Sequence, residues 1–550
     1  MKRLCLSLLV ITMIVSVAKS NNILVSNVSL TGQNTSAGLN NAANFTFVKF
    51  NLSWDNSFRL GSGPNNWDAA WVFVKFQITG GTTGSGCTAS TVWKHATIAT
   101  SGHSGPASAS IDGVSDTRGV FIYRSSNGSG TNTWTDFQIR WNYATDGVLD
   151  ACSVTVKVFA VEMVYVPTGS FYLGDGIFPG NGRFEGTPYG VGNVFQVTST
   201  TEPAILGGGG AGSLGNNNTT GQLIVDDFNT ATSRSMVASY TNGFPNGFNK
   251  FYSMKYEIGQ EQYMEFLNTL TGTQQASRTN AIVQGNFHGS GSSSPSARCG
   301  VKCISPPSGA TPGQYACDLN NNGTVNEVNG DGRYLAMPFL SSPDVLAYLD
   351  WSGLRPMTEL ELEKACRGAL VPVPGEFAWG NAIATNVTTL TNAGADNELS
   401  ATVGANYNVS FSGPTRAGMF ATGTSTRSQA GATWYGIMDM TGNVLENTVT
   451  VGNVAGRSFR GTNGNGALNA FGHADVDYWP GINGNNDPTA PNGTNGTVGV
   501  TGYAGIGIAL GSFANGTQFA PVSDRQFRAG WNGLVNRNNN TGGRGFRTAP

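Results

Sequence analysis

WYGIMDMTGNVLEN, from Trp434 to Asn447, is the stretch whose reading decides the fold. It sets two carboxylates, Asp439 and Glu446, seven residues apart around Gly442, with the amide of Asn443 beside them. A chain can fold sharply at glycine, and carboxylates held over such a turn next to freed backbone carbonyls suit a hard cation such as calcium. The competing reading is a polar turn that holds no ion, because D-x-x-G-x-x-x-E spacing also arises in ordinary loops.

Further segments put this turn in a pattern. EMVYVPTGSFYLGDG (162–176), FYSMKYEIGQEQYMEFLNTL (251–270), LRPMTELELEKACRGA (354–369) and GIMDMTGNVLEN (436–447) follow in order, and RSFRG (457–461) with the terminal GFR (545–547) closes the series. Together they resemble the formylglycine-generating enzyme, or sulfatase-modifying factor, family over residues 162–550, with insertions at about 176–245, 271–336 and 463–520. The resemblance implies a large, irregular, loop-rich α+β domain of the C-type-lectin kind. It also implies a structural calcium ion, with side-chain oxygens from Asp439 and Glu446 and carbonyls from Gly442 and Val444. Leu445 and Asn447 depart from it, standing where the family usually has Trp. Activity does not follow from the likeness, since function lives in a site and not in a fold.

Before that region, residues 21–161 read as an all-β sandwich or jelly roll. Val48, Phe50, Leu52 and Trp54 alternate with polar residues, and 71–78, 119–124, 137–143 and 154–161 are β-rich runs between Gly/Ser/Asn turns. Residues 1–20 read as a signal peptide, with Lys2 and Arg3, an apolar run from Leu6 to Val17, and Ala18-Lys19-Ser20 for cleavage. That run is shorter than the roughly 20 apolar residues that span a bilayer. No transmembrane segment is therefore expected, and the mature chain is expected to be secreted or at the cell surface.

Charged residues make up 12% of the chain and the net charge is −2, which leaves no basic footprint for nucleic acid. With 76 glycines and a surface drawn from Asn, Ser and Thr, the composition suits a glycosylated, sugar-binding or self-associating extracellular protein. Candidate acceptors for N-glycosylation are Asn27, Asn34, Asn44, Asn51, Asn127, Asn386, Asn408, Asn492, Asn495 and Asn515. Once Cys5 leaves with the signal, six cysteines remain, an even number that reads as disulfides in an exported chain. Cys87 and Cys152 are expected to pair, while Cys299, Cys303, Cys317 and Cys366 can pair in three ways.

Three helices are expected in the second region. One carries Tyr263, Phe266, Leu267 and Leu270 as a core stripe, one begins at Ser342-Pro343, and one spans Thr358 to Arg367 behind a Thr358/Glu361 capping box. A second calcium-like loop runs from Asp318 to Asn329. Asp318, Asn320 and Asn322 stand at loop positions 1, 3 and 5, Gly323 at 6, Thr324 offers a carbonyl at 7, and Asn326 stands at 9. Asn329 replaces the usual acid at position 12, so weak binding is expected, on the order of 10⁻⁴–10⁻³ M.

By resemblance, formylglycine formation needs a copper-binding cysteine pair close before the final GFR, and the related sulfoxide synthases need three histidines on iron. Here the last cysteine is Cys366, and the four histidines are scattered at 95, 103, 288 and 473, so neither copper nor iron is expected. Three functions stay open. The first is a non-catalytic structural or adhesive protein, such as a subunit of an extracellular fibre or surface assembly. The second is a lectin-like module for glycans or surface proteins. The third is a surviving enzyme that uses His473, Asp475 and Asp477. Self-association is expected through the β-prone N-terminal segment 21–31, where Leu24, Val28 and Leu30 share one side.

Overall fold

The run from Trp71 to Ile78 is apolar almost without a break because the strand it belongs to is covered on both faces. A computed structural model describes all residues except 1–21, 178–182, 189–191, 208–209, 216–222, 225–233, 236–238, 240–242, 409–410, 482–498 and 529–534. The expected signal peptide and the sequons at Asn492 and Asn495 lie outside the described residues.

The N-terminal region holds strands β1 (Leu24–Asn34), β2 (Phe45–Arg59), β3 (Asp68–Gly81), β4 (Lys94–His95), β5 (Ala109–Gly113), β6 (Val120–Arg124), β7 (Gly128–Trp141) and β8 (Cys152–Val166). β1, β2 and β7 form one antiparallel sheet. The other runs β5-β6-β3-β8, with β4 on β3, and continues into β9 (Phe251–Met254) and β15 (Phe546–Thr548). The strands follow the expected runs, and Cys87 bonds to Cys152.

β3 separates two cores by its pleat. Ala70, Val72, Val74 and Phe76 face β2 and β7, packing with Val48, Phe50, Leu52, Trp54, Phe137 and Ile139 between the sheets. Ala69, Trp71 and Phe73 face the other way, into a core shared with Phe266, Tyr348, Leu349 and Trp351. The expected boundary at 161/162 therefore falls inside β8, whose C-terminal residues Met163–Val166 pair with β9 in the second region. One sheet runs through both regions.

In the second region, helices α1 (Gln260–Leu267), α2 (Gly272–Arg278), α3 (Ser342–Trp351) and α4 (Glu359–Arg367) combine with short strands. These are β10 (Val301–Ser305), β11 (Gln314–Cys317), β12 (Met357–Thr358), β13 (Glu446–Val449) and β14 (Ile506–Ala509). The α1 stripe is buried, and the α4 capping box forms with Thr358 Oγ1 accepting from the Glu361 N–H. The cap of α3 is Ser341, one residue before the expected start, because Asp344 completes its box. Within the expected insertion at 271–336 lie α2, β10 and β11, and Ala281, Phe287, Val301 and Tyr315 are buried there.

Two expectations are corrected here. Cys299, Cys303, Cys317 and Cys366 are free, buried thiols. The β10–β11 register sets Val301 opposite Cys317 and Tyr315 opposite Cys303, so Cys303 and Cys317 are not cross-strand partners, and Cys366 sits on α4 in a separate core. Asn44 and Asn408 are buried and unsuited to carrying a glycan. The Asn44 amide donates to Gly38 O and Asp150, and that of Asn408 to Thr415 Oγ1 and Asn443 Oδ1.

Candidate functional site

The turn at 434–447 folds back on itself through left-handed residues, with φ of 54° at Asp439, 94° at Gly442 and 57° at Asn443. A Cβ at Gly442 would meet the Tyr407 ring at 2.7 Å, so glycine is needed for space as well as for its φ. Gly442 N–H donates to Leu510 O. Asn443 ties the turn across the domain: its Oδ1 accepts from the Thr415 N–H at 2.9 Å and from Asn408 Nδ2 at 3.1 Å.

The residue that holds the turn from behind is Glu257, just past β9. Its Oε1 accepts from the Val444 N–H at 3.0 Å, and its Oε2 accepts from Asn443 Nδ2. Sequence reasoning missed it. The signal was a lone acid between Tyr256 and Ile258, in a run otherwise destined for burial.

Asp439, Glu446 and Glu257 are all buried. Asp439 Oδ2 accepts from the Gly418 N–H, and Glu446 Oε1 accepts from Arg544 Nε at 2.6 Å. Glu446 Oε2 is buried without a partner. Burial pushes the carboxyl pKa of all three upward, and their mutual repulsion adds to this at Glu257 and Glu446. The Arg544 guanidinium opposes the rise in each.

The set expected to ligate calcium is thus brought into one turn. One oxygen of Glu446 is held by a guanidinium and one of Asp439 by a backbone N–H. Among the described residues, no group of three or more His, Cys, Asp or Glu is arranged to hold a metal ion. Calcium takes about 6–8 oxygen ligands, and the buried, unpartnered Oε2 of Glu446 is an oxygen of the kind it takes.

The second loop is similar. Asp318 Oδ2 is paired with Lys302 Nζ at 2.7 Å, which also donates to Asn321 Oδ1. Asn320 and Asn322 accept from the N–H groups of Asn322 and Thr324. Asn326 Oδ1 is turned back to the Cys317 N–H. Asp331 is buried nearby, with its Oδ2 accepting from the Glu327 N–H.

The acids of α4 are structural, as their spacing suggests. Residues two apart on a helix point about 200° apart, so Glu359, Glu361 and Glu363 meet different elements. Glu359 pairs with Arg525 at 2.6 Å, Glu361 with Arg355 at 2.6 Å, and Glu363 with Arg367 at 3.1 Å. His473 and Asp475 do not converge: His473 Nδ1 contacts Arg278 Nη2, whereas Asp475 accepts from Asn465. Burial pushes the thiols of Cys299 and Cys366 up to about 12, which keeps them protonated and unreactive.

No curated protein matches the chain. Residues 243–496, which take in α1 to α4 and the whole turn, match the Sulfatase-modifying factor enzyme 1-like domain. Residues 243–496 thus correspond to an FGE-sulfatase domain, behind a strand-rich N-terminal region of antiparallel sheets.

Proposed function

We propose that this chain is a non-catalytic, secreted or cell-surface building block of an extracellular assembly. The observation that carries the first half is the place of the last cysteine. Copper(I) chemistry needs soft thiolates, and beyond Cys366 the chain has none. Cys366 itself is buried in the core below α4. The histidines offer no substitute, each being engaged where it stands. His95 and His103 bond the carbonyls of Arg118 and Ala99, His288 bonds Thr279 and Phe339 O, and His473 contacts Arg278.

β1 supports the second half. It lies at the edge of its sheet, paired as a strand with β2 alone, and carries no charged residue to repel a neighbouring strand. Leu24 is 59% exposed, and an exposed Asn/Gly-rich segment joins β1 to β2. A strand held this way can be exchanged with the same strand of a second copy, since the β2 edge it leaves accepts either one. The secreted location rests on the signal-like residues 1–20.

Deleting residues 22–34 tests the assembly. The expected outcome is a folded protein by near-UV circular dichroism that no longer self-associates in light scattering. A full-length protein that stays monomeric at high concentration would overturn it, as would unfolding on deletion.

A further inference from the structure

We propose that Lys255 and Asp68 join through an intramolecular amide bond, with Glu162 carrying the protons, so that the N-terminal sheet is tied covalently to the second region. Asp68 opens β3, Glu162 lies on β8 and Lys255 follows β9. The pleat that sets Ala70 opposite Glu162 and Asp68 opposite Val164 puts both acids on one face of the β3–β8 pair. Lys255 reaches that face, with Nζ 3.0 Å from Asp68 Oδ2, 3.2 Å from Glu162 Oε2 and 3.2 Å from Asn56 O. All three side chains are buried, and the ring centroids of Phe58 and Tyr256 lie 5.8 and 5.6 Å from Nζ. An amine fixed this close to one carboxyl group, with water excluded, has the proximity that turns a slow condensation into an intramolecular step.

The donors around Asp68 suit the reaction. Its Oδ1 accepts from Ser57 Oγ at 2.7 Å and from the Phe58 N–H at 2.9 Å, and its Oδ2 accepts from Trp54 Nε1 at 3.1 Å. Lys255 passes a proton to Glu162, and the freed amine adds to Asp68 Cγ. Charge then gathers on Oδ1, where the two donors stand ready for it. The Cγ–Oδ2 bond breaks next, and Oδ2 leaves as water. Of the three ammonium protons, one stays on the amide nitrogen and two depart with Oδ2, so Glu162 ends as it began and no further reactant is needed. Glu162 fits a proton carrier: its Oε1 is buried without a partner, and burial pushes its pKa up to about 7. A buried ion pair is neutral with one acid, and the second acid here adds a buried charge that pairing alone does not explain. Condensation removes two buried charges together, which favours the amide in this dry site. Against burial, Tyr256 and the two acids hold the amine protonated in the ion pair, so the bond closes slowly from a long-lived ionic state. Once closed, it links positions 187 residues apart.

The test is intact-mass spectrometry of the full chain, denatured and reduced, when freshly purified and after a week at neutral pH, followed by tryptic mapping. Aged wild type is expected to be one water lighter than its sequence requires. Residues 60–75 and 251–278 are expected to appear as one branched peptide in which trypsin passes over Lys255. Lys255→Met and Glu162→Gln are expected to keep their full mass and to give no branched peptide. Aged wild type that keeps its full mass overturns the proposal, even if neither variant folds. A lost water without the branched peptide overturns it too, as does a Glu162→Gln chain that links at the wild-type rate.

Discussion

Replacing Lys255 with methionine should cost this protein more at alkaline pH than at acid pH. Lys255 Nζ sits where the two regions meet, 3.0 Å from Asp68 Oδ2, 3.2 Å from Glu162 Oε2 and 3.2 Å from Asn56 O. Burial opposes its charge, but Tyr256, Asp68 and Glu162 together outweigh burial and hold the amine firmly protonated. The two acids depend on it unequally. Asp68 also accepts from Trp54 Nε1, Ser57 Oγ and the Phe58 N–H, so three donors remain when the ammonium goes. Glu162 has Lys255 on Oε2 and no partner on Oε1.

Burial pushes Glu162 up to about 7 even with the lysine in place. A carboxyl with its folded pKa above its unfolded value keeps a proton that the unfolded chain releases. Its contribution is therefore lost as pH rises from about 4.5 through 7, a loss of about 3 kcal/mol over that window. Lys255→Met removes the nearest opposing charge, so the window must extend further upward. The cost should be about 3–5 kcal/mol at pH 8, where Glu162 is forced to ionise unpaired, and clearly less at pH 5, where it is neutral. Urea unfolding at the two pH values measures both, and adding Glu162→Gln should remove most of the pH dependence. An equal penalty at pH 5 and pH 8, or no recovery in the double variant, would refute the reasoning.

Two further outcomes follow. His288 is buried between Thr279 and Phe339 O, and burial, helped by Arg537, lowers its pKa to about 4. The unfolded chain takes up a proton near pH 6.5 that the folded chain refuses, so stability should fall by about 3 kcal/mol between pH 6.5 and 4, and His288→Asn should flatten that slope in denaturant titrations. The four free cysteines should be silent to a thiol reagent in the native protein and all react after unfolding without reductant. Fewer than four reactive thiols would restore a second disulfide.

The fold was legible where local pattern and tertiary contact agree. Alternation from Val48 to Trp54 predicts β2, the Thr358/Glu361 box predicts α4, and two cysteines alone in the N-terminal third predict the Cys87–Cys152 bond. The turn was legible through Gly442 and Asn443, whose roles are local. What it pairs with was not. Arg544 lies 98 residues beyond Glu446 and Glu257 lies 187 residues before Val444, and no periodicity links them. The Gly-Gly-Arg-Gly spelling was the only trace of Arg544, and it reads as an ordinary loop until the neighbours that exclude a Cβ are known. The strands and buried residues within 271–336 were not legible, because the apolar residues that build the core there, such as Phe287 and Val301, are too sparse to register as a pattern. Asn408 misled for the opposite reason: a sequon is read from three residues, and its burial is imposed by Asn443 and Thr415.

The most direct test of the account is to supply the purified mature chain with copper(I), oxygen and a sulfatase-type cysteine peptide and follow the peptide by mass spectrometry. A domain of this family without a thiolate pair beyond Cys366 should leave the cysteine as it was, at the level of heat-denatured protein. Formylglycine accumulating above that control would contradict the non-catalytic reading at its root.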